Sequence, residues 1–268
     1  MNPGPVVHQE AVMGTVVSFA VYTRAPALAI EAALREAVEW LHWVDETFSP
    51  YKAASEVNRF DRGELSAGDC SPELAHVLAL CSRLSRATGG YFDAWASGRF
   101  DPSGVVKGWS VDRASDILVD HGLADHVVDG GGDIRLRGAP PGQPCWTVAV
   151  RHPHARQAYS AVLCVPEGAV ATSGTYERGQ HVLDPFTGQP AADLAAVTVV
   201  GPDLTSADAY ATAALAMGAK APAWLAGLAG YESQVVTPEG RGWWTPGFAR
   251  LQAPGTGAGP GTGAAPAA

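Results

Sequence analysis

Short runs of β-type residues in the second half of the chain constrain its fold most. Five such runs, at 145–151, 159–165, 169–172, 182–184 and 195–200, are separated by Pro and Gly. Because these breakers leave room only for short strands joined by turns, the runs predict an antiparallel sheet. Further strands are expected at 8–22 and at 232–237.

Helical patterns lie on both sides of these runs. After Pro26, apolar residues from Ile30 to Phe48 recur every three to four positions, as on one buried helix face. A second helix is expected from Ser71-Pro72 to the glycines at 89–90. Three more are expected at 107–121, 206–217 and 221–228. This mixture predicts an α+β fold, with a mixed, largely antiparallel sheet or sheets and flanking helices.

The chain is long enough for one large domain. Its 268 residues, 47% of them hydrophobic, compare with about 150 residues in a common domain. Residues 1–251 are therefore expected to form a single domain, with two interleaved lobes and the site between them as an open alternative. After Gln252 the chain contains only Ala, Gly, Pro and Thr, so 252–268 is expected to be a disordered tail.

Charge and hydropathy exclude some functions. The net charge of −9 and the lack of a basic run argue against a nucleic-acid binder. No apolar stretch reaches the roughly 18 residues of a membrane span, and the first residues lack a secretion signal, so a cytoplasmic location is expected. The cysteines are far apart without zinc-ligand spacing, and are expected to be small buried hydrophobic residues: Cys70, Cys81, Cys145 and Cys164.

Asp208 and Thr212 are the clearest candidates for a metal site. They are four residues apart on a predicted helix, so the carboxylate and the hydroxyl lie on one face. Mg²⁺ prefers such hard oxygen ligands and takes only one or two carboxylates from a protein. The alternative is an ordinary helix start, in which Asp208 interacts with the helix dipole and Thr212 bonds a carbonyl one turn back.

Two glycine-containing turns could approach a ligand. The turn from Asp101 to Trp109 places Lys107 at a helix start, where backbone N–H groups favour a phosphate; a capped helix with an exposed lysine fits equally well. The turn at 129–133 has three successive glycines, which allow close backbone approach to a ligand. Arg135 stands where a dinucleotide-binding motif needs its third glycine, so a tight turn between strands is favoured there.

Other residues suit a general base and a flat ligand. His181 lies in a polar segment between strand-like runs and is a candidate base or a structural hydrogen-bond partner. Phe48-Ser49-Pro50-Tyr51 and Tyr91-Phe92-Asp93 bring aromatic rings beside hydrogen-bonding groups. Such segments suit a heteroaromatic ligand, although core packing would also explain them.

Eight short motifs, taken together and in order, resemble the FAD:protein FMN transferase (ApbE) family. They are Met13-Gly14-Thr15; Phe48-Ser49-Pro50-Tyr51 followed by Ser55-Glu56 and Asn58; Phe92-Asp93; the Gly-x-x-Lys-Gly-Trp run from Gly104; Gly131-Gly132-Asp133; Thr172-Ser173-Gly174; His181 to Gly188; and Asp208-Ala209-x-x-Thr212. They span residues 13–212.

The resemblance implies a transferase that uses Mg²⁺ and FAD. It would cleave the pyrophosphate of FAD and attach FMN by a phosphoester bond to a Thr or Ser hydroxyl of a flavoprotein, releasing AMP. The implied metal ligands are Asp208, Thr212 and the main-chain carbonyl of Gly104. The implied FAD contacts are Met13, Ser49, Pro50, Tyr51, Asp93, Lys107, His181 and Val182.

The resemblance also implies catalytic roles for three residues. His181 would accept the proton of the incoming hydroxyl, and Lys107 would add positive charge beside the phosphates. Asp208 would serve as the base only if it were not fully committed to the metal.

The chain departs from the family pattern in three places. Its first cysteine is Cys70, whereas many members begin as exported lipoproteins with an early lipid-modified cysteine. The common Phe-Asp-Pro-Thr run is Phe92-Asp93-Ala94-Trp95 here, which alters the flavin pocket. The acceptor pattern Asp-x-x-Ser/Thr-small-Ser/Thr is nearly met at 203–208 but ends in Asp208, so the acceptor is expected to be another flavoprotein carrying that motif.

Two other functions fit the same motifs. One is an FAD pyrophosphatase that releases FMN and AMP, which needs the same metal site but no acceptor protein. The other is a flavin-binding carrier without turnover.

Overall fold

A computed structural model describes residues 4–175 and 182–253 of the chain. The strands in these ranges are β1 (Val6–Val12), β2 (Thr15–Tyr22), β3 (Asp125–Gly130), β4 (Ile134–Arg137), β5 (Trp146–His152), β6 (Ala155–Val165), β7 (Gly168–Gly174), β8 (Ala196–Gly201), β9 (Glu232–Val236) and β10 (Gly242–Trp244). The helices are α1 (Ala27–Phe48), α2 (Glu56–Asp61), α3 (Pro72–Ala87), α4 (Ser103–Asp120), α5 (Leu204–Met217), α6 (Ala221–Ala226) and α7 (Pro246–Leu251), with a 3₁₀ turn at Gly218–Lys220.

The described strands form two sheets. Eight of them make one sheet in the order β1-β2-β3-β4-β7-β8-β9-β10, and β5 pairs with β6 in a second sheet. Every pairing between these strands is antiparallel. The predicted α+β fold with largely antiparallel sheets and flanking helices is therefore confirmed.

The large sheet is buried on both faces near its middle. Ala169 and Ala171 of β7 belong to the core that α1, α3, α4 and α5 share with the sheet. Val170, between them, belongs to a second core that also contains Trp146 and Leu163 of the β5–β6 sheet. Because side chains alternate along a strand, β7 contributes to both cores, and the fold has a helical layer, a large sheet and a smaller sheet.

Helices α4 and α5 lie very close together where they carry Lys107 and Asp208. The α-carbon of Gly108 packs on the first turn of α5, so that an added Cβ would lie 2.6 Å from the carbonyl oxygen of Leu204. The carboxylate of Asp112 accepts hydrogen bonds from the backbone N–H groups of Leu204 (3.1 Å) and Thr205 (2.8 Å). These contacts fix the start of α5 against the middle of α4.

Gly108→Ala is expected to destabilise the protein. In a helix interior this change normally stabilises by about 0.5–1 kcal/mol. Here the new methyl group would meet the backbone of Leu204 and force the two helices apart, an overpacking cost of typically about 1–3 kcal/mol. Thermal denaturation should show a lower midpoint for the variant. An unchanged or higher midpoint would mean that the helices are not in close contact at Gly108.

His126 of β3 is a buried histidine with both ring nitrogens occupied. Its Nδ1–H donates to the carbonyl oxygen of Leu123 (2.7 Å), and its Nε2 accepts from the hydroxyl of Ser115 (2.7 Å). The backbone carbonyl can only accept, so the ring is held as one neutral tautomer. Burial lowers the pKa of His126 from 6.5 to about 4.

The protein should therefore lose stability in mild acid. Above pH 6.5 the neutral ring contributes its full stabilisation. Between pH 6.5 and 4 the unfolded chain binds a proton that the folded chain does not, so about 3 kcal/mol of stability should be lost as the pH falls. Urea denaturation between pH 7 and 4 measures this. The loss should be smaller in His126→Gln, and an equal loss in both proteins would assign it to other groups.

Several strand and helix boundaries differ from the sequence prediction. The expected strand at 8–22 is two strands, because Met13 and Gly14 have φ angles of 53° and 70° and form a two-residue hairpin turn. The helix expected at 107–121 begins at Ser103, whose backbone N–H is bound by the side chain of Asp101. No strand forms at 182–184; Leu183 makes only an isolated bridge with Pro190.

The prediction for the cysteines is wrong for two of the four. Cys145, just before β5, and Cys164, on β6, form a disulfide with 5.4 Å between their α-carbons. Antiparallel pairing brings them together although they are 19 residues apart, which spacing alone did not indicate. Cys81 is buried and free, as expected, and Cys70 is free and partly buried.

Other predictions concern the ends of the chain and the membrane. Most of the tail expected to be disordered lies outside the described residues. Within 4–175 and 182–253, no helix combines the length and the apolar character needed to cross a bilayer. That residues 1–251 form one domain stays a prediction.

Candidate active site

A cavity of about 380 Å³ is formed by segments that are far apart in the sequence. The β1–β2 turn, the end of α1 and the first turn of α4 line it together with the end of β7 and the first half of α5. It also includes the turn after β3 and the segment from Val182 to Pro185. The cavity thus lies where the helical layer meets one end of the large sheet.

Ten of the eleven residues predicted for the site line this cavity. They are Met13, Ser49, Pro50, Tyr51, Asp93, Gly104, Lys107, Val182, Asp208 and Thr212. His181, the predicted general base, lies outside the described residues. The structure thus brings the described candidates together, and their individual roles stay predictions.

Lys107 and two aspartates form the charged centre of the cavity. The ammonium group of Lys107 is in contact with the carboxylate of Asp133 and lies 3.5 Å from Oδ1 of Asp208. Both carboxylate side chains are 4% exposed, whereas the lysine is 33% exposed. A single cation thus stands between two buried anions and can also reach the cavity.

The Asp208 carboxylate is only partly satisfied. Its Oδ2 is buried and has no hydrogen-bond partner among the described residues. Burial raises the pKa of Asp208 to about 7, an effect that the charge of Lys107 opposes. A buried oxygen of this kind costs free energy unless a proton or a cation occupies the space beside it.

Thr212 lies one helical turn after Asp208, as the spacing predicted. Its hydroxyl is 3.0 Å from the hydroxyl of Ser173, which lies on β7. The neighbouring Thr172 donates its backbone N–H to Oδ1 of Asp133 (2.9 Å). The end of β7 therefore supports Thr212 on α5 and the carboxylate of Asp133.

Asp133 was absent from the predicted site residues. It accepts from Thr172, pairs with Lys107 and is as buried as Asp208. The sequence did contain a signal, because Asp133 ends the Gly131-Gly132-Asp133 motif and follows β3. From the residues alone a tight turn between strands is favoured there, and the three glycines only allow a ligand to approach, so the sequence indicates no role of its own for the aspartate.

The turn after β3 packs directly on the β1–β2 hairpin. Gly131 has a φ angle of 75°, and a Cβ on it would lie 2.3 Å from Oγ1 of Thr15. Only glycine allows both this conformation and this approach. Met13 holds a positive φ at the neighbouring turn, a conformation that costs a non-glycine residue about 1 kcal/mol or more. Two backbone turns thus form one wall of the cavity.

The 49–52 segment is held in place by Asn58. This buried side chain donates from Nδ2 to the backbone carbonyls of Ser49, Pro50 and Lys52, at 3.3, 3.0 and 2.9 Å. With the backbone held by these hydrogen bonds, the side chain of Tyr51 is 95% exposed at the edge of the cavity. Asn58, from the second part of the motif, therefore shapes the loop that carries Tyr51.

A second aromatic group lies on the side of Val182 to Pro185. The ring of Tyr91 meets the ring of Phe186 edge-on at 4.8 Å, and its hydroxyl accepts from the ammonium group of Lys220 at 2.7 Å. Neither Phe186 nor Lys220 was predicted as a site residue. Phe186 and Lys220 hold the ring of Tyr91, which lines the cavity as Tyr51 does.

Part of the chain is similar in sequence to curated proteins named as flavin transferases. An FAD:protein FMN transferase of Vibrio cholerae is 34% identical over 128 residues, which cover 44% of this chain and 38% of that protein. One of Treponema pallidum is 33% identical over 167 residues, which cover 55% of this chain and 46% of that protein. The chain thus matches less than half the length of these curated relatives.

Solved structures share the fold. The ApbE protein of Thermotoga maritima has a TM-score of 0.83 at 22% identity, covering 93% of this chain and 99% of that one. The flavinyl transferase ApbE of Pseudomonas stutzeri, in its apo form, has a TM-score of 0.78 at 26% identity, covering 95% and 99%. The model of the ApbE family matches residues 13–98 and 95–233. Because these segments make up most of the sequence, the chain belongs to the ApbE family.

Proposed function

We propose that this chain is an Mg²⁺-dependent FAD:protein FMN transferase. It cleaves FAD and joins FMN by a phosphoester bond to a Thr or Ser of a flavoprotein, with release of AMP. The observation that carries the proposal is the buried, half-satisfied carboxylate of Asp208 beside Lys107, in a cavity with aromatic residues at its edge. The relatives named FAD:protein FMN transferase support the same reaction.

The residues around Asp208 fit a magnesium ion. Oδ2 of Asp208 has no hydrogen-bond partner within 4–175 and 182–253, the hydroxyl of Thr212 is one turn away, and Gly104 lines the same cavity. One carboxylate with neutral oxygens is the kind of incomplete ligand set that Mg²⁺ accepts, since phosphate and water complete its shell. When bound, the ion would neutralise charge developing on the pyrophosphate.

The chain's own residues would bind and orient the FAD. Lys107 provides a fixed cation that Asp133 holds in place, so it does not have to be ordered during the reaction. Tyr51 and Tyr91 offer aromatic faces for the ring systems, and the Gly131 turn allows the backbone to approach a phosphate. Phosphoryl transfer depends mainly on such positioning and charge stabilisation.

His181→Ala is expected to slow transfer more than it weakens FAD binding. A general base contributes typically about 10² to 10⁴ in rate, and acts on the hydroxyl that attacks. Single-turnover transfer rates and FAD affinity, measured on the same variant, separate the two effects. Equal losses in both would make His181 a residue that positions FAD.

The acceptor is proposed to be a flavoprotein with an Asp-x-x-Ser/Thr-small-Ser/Thr motif. In this chain the similar segment at 203–208 cannot serve, because Asp203 caps α5 and the residues after it are buried. A cytoplasmic location stays a prediction from the sequence. The Cys145–Cys164 disulfide is more typical of oxidising compartments.

Intact-mass measurement of an acceptor tests the proposed function. The purified protein is incubated with FAD, Mg²⁺ and a carrier bearing an Asp-x-x-Thr-Ala-Thr loop, and AMP is assayed in parallel. A carrier mass gain of one FMN, with AMP release and loss of both on adding EDTA, is expected. Release of AMP and free FMN without a mass gain would favour the alternative function of an FAD pyrophosphatase. Binding of FAD without release of AMP would favour the alternative of a flavin-binding protein without turnover.

A further inference from the structure

A groove of about 520 Å³, separate from the active-site cavity, lies on the helical layer. Helix α1 contributes half of its lining, α3 contributes one residue, and α4 contributes the rest. The lining residues are Glu36, Glu39, Trp40, Trp43, Glu73, Trp109, Arg113 and Ile117. Three tryptophans and three glutamates thus meet in one place, and the proposed flavin transfer uses none of them.

The tryptophans are packed in a defined arrangement. Trp40 and Trp43 are stacked at 5.2 Å with an interplanar angle of 24°, and Trp109 meets Trp40 edge-on at 5.1 Å. The indole N–H of Trp40 donates to the carbonyl of Ser110 (3.0 Å), which fixes its ring on α4. Trp43 is 37% exposed, so indole surface remains in contact with water.

The charge around these rings is mainly negative. Glu36 pairs with His121 at 2.8 Å, and Glu39 lies 4.0 Å from Arg35. Both carboxylate side chains are nevertheless mostly exposed, so they remain largely solvated. No salt bridge within the described residues involves Glu73. Arg113, the one basic residue in the lining, pairs with Asp120 farther along α4. The groove therefore offers aromatic surface with an excess of carboxylates.

We propose that this groove binds an arginine side chain on a segment of a partner protein. A guanidinium group stacks on indole rings and pairs with carboxylates at the same time, whereas a neutral planar group can only stack and an anionic group is repelled by the carboxylates. The groove is large enough for a chain segment around that side chain. Its acidic rim would attract a basic partner to a chain with a net charge of −9.

The groove is connected to the active-site cavity through Phe48. This ring lines the cavity and packs edge-on against Trp109 at 5.5 Å and Trp43 at 6.0 Å. A partner bound in the groove would therefore contact residues that support the cavity wall. The binding itself requires neither FAD nor metal, so it can be tested apart from the proposed transfer.

Indole NMR signals of the whole protein test the proposal. The probe is the peptide acetyl-Gly-Gly-Arg-Gly-Gly-amide, and its control has citrulline, an uncharged isostere, in place of arginine. The indole signals, assigned with single Trp→Phe variants, should shift saturably for Trp43 and Trp109. Binding of the citrulline peptide should be roughly tenfold weaker, and salt should weaken the arginine peptide.

Matched variants test whether the carboxylates of the groove contribute to binding of the arginine peptide. Glu39→Gln and Glu73→Gln should each weaken binding of the arginine peptide roughly two- to fivefold. Glu31→Gln, exposed on α1 outside the groove lining, should not. Equal binding of the two peptides, or shifts spread evenly over all indoles, would overturn the proposal. Argininamide binding as tightly as the peptide would assign the groove to a small molecule and overturn the partner-protein assignment.

Discussion

Asp208→Ala is expected to abolish Mg²⁺-dependent AMP release from FAD while the protein stays folded. Asp208 lines the cavity, and its buried Oδ2 has no partner in the part of the chain that the structure describes; alanine removes the charge that would hold the metal. Loss of such an electrostatic group costs at least roughly 10²-fold in rate. AMP release at saturating FAD, followed as Mg²⁺ is varied, measures the effect.

The stability of this variant should change little or rise. Asp208 is buried, one of its oxygens has no partner among the described residues, and Lys107 keeps its pair with Asp133 in this variant, so no buried charge is left uncompensated. Asp120→Asn, at an exposed carboxylate at the end of α4, is the matched control and should keep full activity. Full activity in Asp208→Ala would rule out the metal assignment, and unfolding of the variant would show that the carboxylate is structural.

Lys107→Met is expected to lower both activity and stability. The lysine is the cation paired with the two buried carboxylates, Asp133 and Asp208. Removing one partner of a buried ion pair leaves uncompensated charge and typically costs about 3–5 kcal/mol. Urea denaturation at neutral pH, together with the AMP assay, measures both losses.

A double variant separates the two effects of Lys107. The double variant Lys107→Met, Asp208→Asn lacks one of the two carboxylates that Lys107→Met leaves without a cation. It should therefore be more stable than Lys107→Met alone but equally inactive. Asp133 would keep its hydrogen bond from Thr172 in that protein. Simple addition of the two single effects on stability would mean that Lys107 and Asp208 do not interact in the folded chain.

Local patterns predicted much of the helical layer and of the site. The repeat of apolar residues from Ile30 to Phe48 corresponds to the buried face of α1, and Ser71-Pro72 begins α3 as expected. That Asp208 and Thr212 lie on one face follows from the geometry of a single helix, so it could be predicted from their spacing in the sequence. The resemblance of the motifs to a known family then indicated which separate segments meet in one cavity.

Contacts between distant segments were not predictable in this way. Asp133 acquires its role only because β4 pairs with β7 and brings it to Thr172 and Lys107. The disulfide depends in the same way on the register of β5 and β6. The groove required three helices to place Trp40, Trp109 and Glu73 together. Such contacts are set by tertiary packing, which no spacing along the chain encodes.

Strand β7 separates the two cores and also ends at the cavity, which limits how the protein can vary. Val170 faces the smaller sheet, whereas Thr172 and Ser173, a few residues later, support Asp133 and Thr212. A substitution in the β5–β6 layer that shifts Val170 would also move the end of the same strand that lines the cavity. In the proposed reaction, residues without contact to FAD would then affect the rate, and the candidate active site would limit which substitutions the smaller sheet tolerates.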